Sequence, residues 1–187
     1  MPKVELDLTD DWDGETDWER IATDAVIAAF TVFDFAPAES ISISINLSDN
    51  EEVQALNAQW RGKDKPTNVL SFPMLEAEEL NLLRHFREGR NSSPDDELPP
   101  AWEMEPRLRG DDDKQSEVLL GDLILAHPVC ATEAAEKHIP LPHHVTHLII
   151  HGTLHLLGLD HIDDTEAEHM EALEVKALAS LGLDNPY

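Results

Sequence analysis

Three histidines with regular spacing are the strongest chemical signal in this 187-residue sequence. His151 and His155 are four residues apart, so on a helix both side chains lie on one face, about 5.4 Å apart along the axis. Gly158 can adopt a left-handed conformation that ends the helix and turns the chain back, which brings His161 toward the same point. Three imidazoles and one open position are typical of a catalytic zinc. We therefore predict one zinc ion per chain, although three histidines also suit nickel or copper.

A histidine-rich helix with buried imidazoles is the alternative interpretation of any one of these residues. Two histidines at helical spacing, then a glycine, then a third histidine favour a metal site instead. A structural zinc more often has four protein ligands, usually with cysteine, and Cys130 is the only cysteine here. His147 lies four residues before His151 and is a further candidate ligand. A helical row of three cannot easily surround one ion, which favours orientation of a ligand or core packing for His147.

The same spacing matches the metalloprotease pattern HExxHxxGxxH. Gly152 occupies the position at which those proteases carry their general-base glutamate. Peptide hydrolysis by that route therefore lacks its base, and the sequence argues against a protease.

The elements that position these histidines follow from the hydrophobic pattern. Alternation or short apolar runs predict strands at residues 4–8, 40–47, 69–72 and 118–126. Helical periodicity predicts helices at residues 18–29, 48–62, 128–138, 143–157 and 164–181. Capping-box pairs indicate that the first two helices begin beside Thr16 and Ser48. Because strands and helices are mixed irregularly, without βαβ periodicity, we expect an α+β fold with a small mixed sheet packed against helices.

The stretch from Met74 to Glu117 differs in composition from the rest of the chain. It contains SSPDDELPP and GDDDK, and it carries one short helical pattern at residues 76–86. Such composition is typical of a long loop. We expect a single domain over residues 1–187 with an acidic insertion or mobile loop at about 74–117.

The chain is strongly acidic, with 13 Lys and Arg against 39 Asp and Glu and a formal net charge of −26. Broad non-specific nucleic-acid binding depends on neutralising phosphates, so this charge argues against it, and we expect no DNA partner. Net charge does not exclude a basic patch, because the field in a cleft is set by nearby residues.

No apolar run reaches about 18 residues, and the start lacks a basic region followed by an apolar leader. We expect a cytoplasmic protein with no membrane partner.

Several segments resemble one known family. HGTLHLLGLDH (151–161) closely resembles the signature of the YbeY family, bacterial metal-dependent endoribonucleases linked to rRNA maturation. RGKDKPTNVLSFP (61–73) resembles the family's RxxxxxTDVLSFP block, and GDLILA (121–126) resembles its GDI strand. The resemblance covers most of the chain in order. It implies a zincin-like single domain whose metal site lies on a helix and the turn after it. It also implies a cytoplasmic location and association with ribosomal RNA and with the small ribosomal subunit and its proteins.

By position, the resemblance places the family's metal ligands on His151, His155 and His161 and its functional arginine on Arg61. From the sequence alone Arg61 is a solvated residue after a helix; the resemblance favours a guanidinium that binds the scissile phosphate. Lys63 and Lys65 either extend a basic strip along RNA or only increase the solubility of a loop. Asn68 stands where the family usually has Asp, which removes a charge near Arg61.

The leading hypothesis is a metal-dependent single-strand endoribonuclease, a hydrolase of phosphodiester bonds that acts in 16S rRNA processing and ribosome quality control. The metal would lower the pKa of water from about 15.7 toward 7, while either water or the RNA 2′-hydroxyl attacks phosphorus. Asp160 either orients an imidazole and handles protons or is only a turn residue. Asp122 begins an apolar strand and is not favoured as a site residue.

The alternative hypothesis is a ribosome-assembly factor whose main work is binding. Its metal would be structural, and its cleavage would be weak or dependent on a partner. The net charge of −26 favours this alternative, because an acidic protein needs a partner to reach RNA well.

Overall fold

The computed structural model describes residues 2–12, 14–35, 41–88, 117–161 and 163–187. In chain order the elements in these ranges are β1 (Lys3–Leu8), α1 (Trp18–Val32), β2 (Ile41–Ser48), α2 (Asn50–Arg61), β3 (Val69–Pro73), α3 (Ala77–Glu88), β4 (Val118–Ala126), α4 (His127–Glu136), α5 (Leu141–Leu156) and α6 (Asp164–Ser180). None of the helices in the described ranges is long and apolar enough to cross a bilayer.

The strands form one mixed sheet in the order β1-β2-β4-β3. β1, β2 and β4 are parallel, and β3 joins the edge antiparallel to β4. This arrangement confirms the α+β prediction. It also contains a feature that the pattern did not indicate: β1 and β2 are parallel and are joined by α1. β3 ends at Pro73, which lacks an N–H and is therefore tolerated at a sheet edge.

The main core lies on the isoleucine face of β2. Ile41, Ile43 and Ile45 are buried in one cluster with apolar side chains of α1, α5 and α6. A smaller cluster, built around Val53 and Leu70, includes side chains from α2, β3, β4 and α4. The period-two run SISISINL therefore sets which face of the sheet carries the helix that bears the metal motif.

The helix starts differ from the predicted capping boxes. The N-caps are Asp17 and Asp49, each one residue after the predicted Thr16 and Ser48. Each aspartate accepts a hydrogen bond from the backbone N–H three residues on, at 3.1 and 2.9 Å. Ser48 is instead the last residue of β2. The correction has a simple cause: an aspartate at the next position caps the same N–H groups and carries a charge that suits a helix N-terminus.

Pro140 and Pro142 lie at the N-terminus of α5, so they do more than separate α5 from α4. Pro140 is the N-cap, and Pro142 lies in the first turn. The N–H groups of a first turn have no acceptor within the helix, so the N–H that proline lacks is not needed there. The helix therefore starts at Leu141, two residues earlier than predicted, and most of its side chains are buried.

The first part of the predicted insertion packs against the main core. Leu75 and Leu80 are both 6% exposed and belong to the main hydrophobic cluster, and Ala77–Glu88 forms α3. The rest of the predicted loop, residues 89–116, lies outside the described residues.

Candidate metal centre

The three predicted histidines meet at one point. One nitrogen from each of His151, His155 and His161 lies within 4.8 Å of the others. The Nε2 atoms of His151 and His155 are 3.1 Å apart, which brings two candidate ligand atoms of α5 together. His161 lies in the chain after α5, with its ring centroid 5.6 Å from that of His151 and 5.0 Å from that of His155.

The turn after α5 brings His161 to the site. Gly158 has a φ of +89°, and its N–H donates to the carbonyl of His155 at 2.9 Å. The N–H of Leu159 donates to the carbonyl of Leu154 at 3.1 Å, which completes a Schellman cap. This cap reverses the chain within a few residues, as the glycine position predicted.

The same turn orients His155, the second candidate ligand. The Leu159 carbonyl lies 2.9 Å from Nδ1 of His155, and because a carbonyl can only accept, Nδ1 is the protonated nitrogen. Nε2 of His155 is then the free lone pair at the meeting point. Burial, and next the charge of His151, lower the pKa of His155. A neutral imidazole is the form that binds a metal.

Glu174 is a candidate functional residue that the sequence did not indicate. Its side chain is only 1% exposed on α6. Oε1 accepts a hydrogen bond from Nδ1 of His151 at 2.8 Å, and Oε2 accepts one from Nε2 of His147 at 2.6 Å. The hydroxyl of Tyr187 donates to the same Oε2. Because Nδ1 of His151 is committed to Glu174, Nε2 is its free lone pair, as at His155.

These contacts keep Glu174 ionised. Burial on its own would raise the pKa of Glu174, but hydrogen bonds from His147, His151 and Tyr187 outweigh it and lower the pKa to about 2. Burial and the neighbouring carboxylate raise the pKa of Tyr187, so its hydroxyl stays protonated as a donor. The sequence did contain a signal. Glu174 is the one acid in the buried stripe of α6, which consists of Met170, Leu173, Glu174, Ala177 and Leu178.

His147 does not join the three ligands. Its Nε2 is bonded to Glu174, and its ring centroid is 6.5 Å from that of His151. Its Nδ1 is buried and has no hydrogen-bond partner among the described residues. His147 is linked to His151 only through Glu174, so orientation of a ligand or core packing stays the prediction for this residue.

Packing of α5 gives a reason for glycine at position 152 that the motif alone did not give. A Cβ at this position would lie 2.7 Å from Cδ2 of Leu123 and 3.1 Å from Oγ of Ser71. Real Cβ contacts are essentially never as close as 2.7 Å, so a residue with a Cβ at this position would require the side chains of Leu123 and Ser71 to move. The close approach of α5 to these two side chains therefore gives Gly152 a packing role in addition to its place in the motif.

The three histidines line a cleft of about 560 Å³, and Arg61 lines the same cleft. Arg61 is the last residue of α2, which ends at Gly62 in the left-handed conformation. Thus two motifs far apart in the chain contribute to one cavity. The cleft is lined by Arg61, Thr67, Asn68, Val69, Ser71, Pro73, His151, His155, Gly158, Leu159, Asp160 and His161.

The other candidate acids and polar residues take different places. Asp160 lines the cleft, and its Oδ1 accepts a hydrogen bond from the backbone N–H of His161 at 2.8 Å. The carboxylate that bonds a ligand imidazole is therefore Glu174, while Asp160 holds the turn that carries His161. Asp122 is absent from the described lining of the cleft. Asn68 lines it, and its amide donates to Glu133 at 3.0 Å.

Comparison with known proteins identifies the family. A family model described as endoribonuclease YbeY matches residues 8–182. A relative of that name from Rhizorhabdus wittichii is 48% identical, over 100% of this chain and 97% of the relative. The chain belongs to the endoribonuclease YbeY family. Relatives of the same name from Sphingopyxis alaskensis and Zymomonas mobilis are 43% and 48% identical, over all of this chain and 98% and 93% of theirs. Membership of the family supports an endoribonuclease role, with RNA as the substrate.

A solved structure supports the fold. The solution structure of a protein from Thermotoga maritima superposes with a TM-score of 0.50 at 18% identity, over 97% of this chain and 92% of that chain. The likeness is one of fold, and it agrees with the zincin-like α+β domain that the resemblance implied.

Proposed function

We propose that this chain is a zinc-dependent endoribonuclease that cuts single-stranded ribosomal RNA precursors in the cytoplasm. Its work would be 16S rRNA processing and ribosome quality control, together with the small ribosomal subunit and its proteins. One observation carries the proposal: Arg61 lines the same cleft as His151, His155 and His161. A cation for phosphate and a set of metal ligands in one open cavity suit phosphodiester chemistry better than peptide or ester hydrolysis.

The donor set fits zinc. Three imidazole nitrogens leave a fourth position open, which is the arrangement of catalytic rather than structural zinc. Two of the three imidazoles have their second nitrogen bonded, to the Glu174 carboxylate and to the Leu159 carbonyl. Such partners select the tautomer and ring orientation that a metal requires. When bound, the ion supplies Lewis-acid polarisation of a phosphoryl oxygen and makes water more acidic.

The remaining roles belong to the chain's own residues. Arg61 binds the scissile phosphate through its planar guanidinium and stabilises the charge that develops on it. Asp160, exposed at the cleft, accepts or returns a proton during strand scission. Position 152 carries glycine where metalloproteases of the HExxHxxGxxH pattern carry their glutamate, and Asp160 is the carboxylate that lines the described cleft.

A second candidate function is a ribosome-assembly factor with partner-dependent cleavage. The formal net charge of −26 favours it, because long-range repulsion slows the approach of a free acidic protein to RNA. Within the cleft, however, Arg61 supplies a local positive charge, and the local field decides binding once RNA is delivered.

The experiment that tests both is metal content of the purified protein, measured beside cleavage of a single-stranded RNA with and without a chelator. One metal per chain and cleavage that the chelator abolishes would support the endoribonuclease. A bound metal without cleavage, where added small subunits restore cutting, would support the assembly factor. Absence of any bound metal would refute the proposed centre.

A further inference from the structure

Trp60 is an unusually exposed aromatic residue on the last turn of α2. Its side chain is 65% exposed, the highest value among the large apolar side chains in the described ranges. Its ring contacts that of Phe72 at a centroid distance of 6.2 Å and an interplanar angle of 67°. One exposed aromatic residue is ordinary on a protein surface, so its meaning depends on the cleft and the charges beside it.

The position of Trp60 relates it to the cleft. It directly precedes Arg61, which lines the cavity. Its contact, Phe72, packs with the cluster around Val53 and Leu70, and its side chain points to the opposite face of β3 from Ser71 and Pro73, which line the cavity. β3 is the edge strand of the sheet, so Trp60 lies outside the cleft, on the other side of this edge strand, where a long ligand that leaves the cleft can cross.

The charges around Trp60 differ from those of the chain as a whole. Arg61, Lys63 and Lys65 are exposed, and none of them forms an ion pair with an acid in the described part of the chain. By contrast, Lys3 pairs with Glu5 at 2.7 Å. Residues 61–65 carry three cations and one exposed acid, Asp64, so this segment has a formal charge of +2 in a chain whose formal charge is −26, and its local sign suits a polyanion.

We propose that Trp60 is a stacking platform for one unpaired base of the RNA, next to the phosphate held by Arg61. The inference rests on the proposed function and adds to it a subsite for a nucleobase. An aromatic face stacks on any base, so the subsite is tolerant of sequence, but the base must be free of a duplex to reach it. Lys63 and Lys65 contact the neighbouring backbone phosphates. Single-strand preference thus follows from Trp60, and phosphate affinity from the cations.

The test uses single-turnover cleavage of a short unstructured RNA by the metal-loaded full chain. The protein concentration that gives the half-maximal rate reports binding, and the plateau reports the cutting step. Trp60→Ala should weaken binding about five- to a hundredfold, the range of base–aromatic stacking, with the plateau little changed. Trp60→Phe keeps a ring and should recover most of the affinity. Leu8→Ala, an exposed apolar residue on the opposite edge strand, is the matched control and should bind RNA normally.

A series of RNAs, each lacking one base, tests more directly whether Trp60 contacts a base. Replacing one nucleotide at a time by an abasic unit should identify a position at which wild-type binding weakens and Trp60→Ala shows no further loss. Equal binding by wild type and Trp60→Ala, or equal sensitivity to abasic units at every position, would overturn the subsite. Normal RNA binding with lost association with small ribosomal subunits would also overturn it and assign the surface to a protein. Failure of the wild type to cut RNA at all counts against the proposed function, while fluorescence anisotropy with the same RNAs still decides the role of Trp60.

Discussion

Oε1 of Glu174 lies 2.8 Å from Nδ1 of His151, and this hydrogen bond joins α6 to the metal motif on α5. The two residues are 23 positions apart, and the bond is buried on the Glu174 side. Because the carboxylate is ionised and fully occupied by donors, it holds the imidazole in one tautomer and one orientation.

Removing this carboxylate should weaken metal binding. Glu174→Gln loses the charge that holds Nδ1 of His151 as the donor, and we expect zinc affinity to fall about 10- to 100-fold. Competition with a chromophoric chelator measures that affinity. Glu168→Gln, an exposed acid on the same helix, is the matched control and should bind zinc as wild type does. Equal affinity of the two variants would mean that the bond only packs α6 onto α5.

Arg61→Ala should retain metal and fold but cut RNA much more slowly. Loss of one preorganised donor to a transition-state oxyanion costs about a hundred- to a thousandfold in rate. Metal content, melting temperature and the single-turnover rate are measured on the same preparation. Arg20→Ala removes an exposed arginine paired with Asp17 on α1 and should cut normally. An unchanged rate in Arg61→Ala would remove this residue from the mechanism.

Adding a side chain at Gly152 should disturb the packing of α5. The Cβ of Gly152→Ala would lie 2.7 Å from Cδ2 of the buried Leu123, so either this side chain or the helix must move, at a cost of about 1–3 kcal/mol in the free energy of unfolding. Gly14→Ala adds the same methyl group where no described atom lies within 4 Å, and we expect a change below about 0.5 kcal/mol. Thermal or urea unfolding of the two variants compares them directly. Equal free energies of unfolding would show that the atoms around Gly152 can move apart at little energetic cost.

Stability should fall as the pH drops below neutral, partly because of His144. Burial lowers the pKa of His144 below its ordinary 6.5, and this outweighs the hydrogen bond to Glu133 at 2.8 Å. The unfolded chain therefore takes up the proton first, so stability is full above pH 6.5 and declines as the pH falls toward the lowered value. His144→Gln should show a smaller loss of melting temperature between neutral pH and about pH 5. His143→Gln, exposed on the same helix, should keep the wild-type dependence.

The acidic stretch should be removable only in part. Replacing residues 89–116 by a short linker removes none of the buried side chains of the described core, and we expect an unchanged melting temperature. A deletion that starts at Met74 also removes Leu75 and Leu80, both buried, and each should cost about 2–5 kcal/mol. Circular dichroism melts of the two deletions measure the difference. A large loss from the shorter deletion would show that residues 89–116 contribute to the core.

Local patterns in the sequence were sufficient for much of this protein. The alternation in SISISINL, the spacing of His151 and His155, and the glycine three residues later are short-range features, and their physical consequences are fixed within one element or one turn. They predicted β2, α5, the left-handed cap at Gly158 and the meeting of three imidazoles. The capping residues were wrong by one position because adjacent residues compete for the same N–H groups.

Only the tertiary structure decided which distant residues meet those histidines. Glu174 and Tyr187 reach the site because α6 packs on α5, and Arg61 shares the cleft because α2 ends beside the edge strand β3. A sequence shows a glutamate in an apolar stripe or an arginine before a glycine, but it does not show what either one faces. Which residues they contact depends on how the helices pack on the twisted sheet. Shape and buried area, summed over many side chains, determine that packing and outweigh any single local preference.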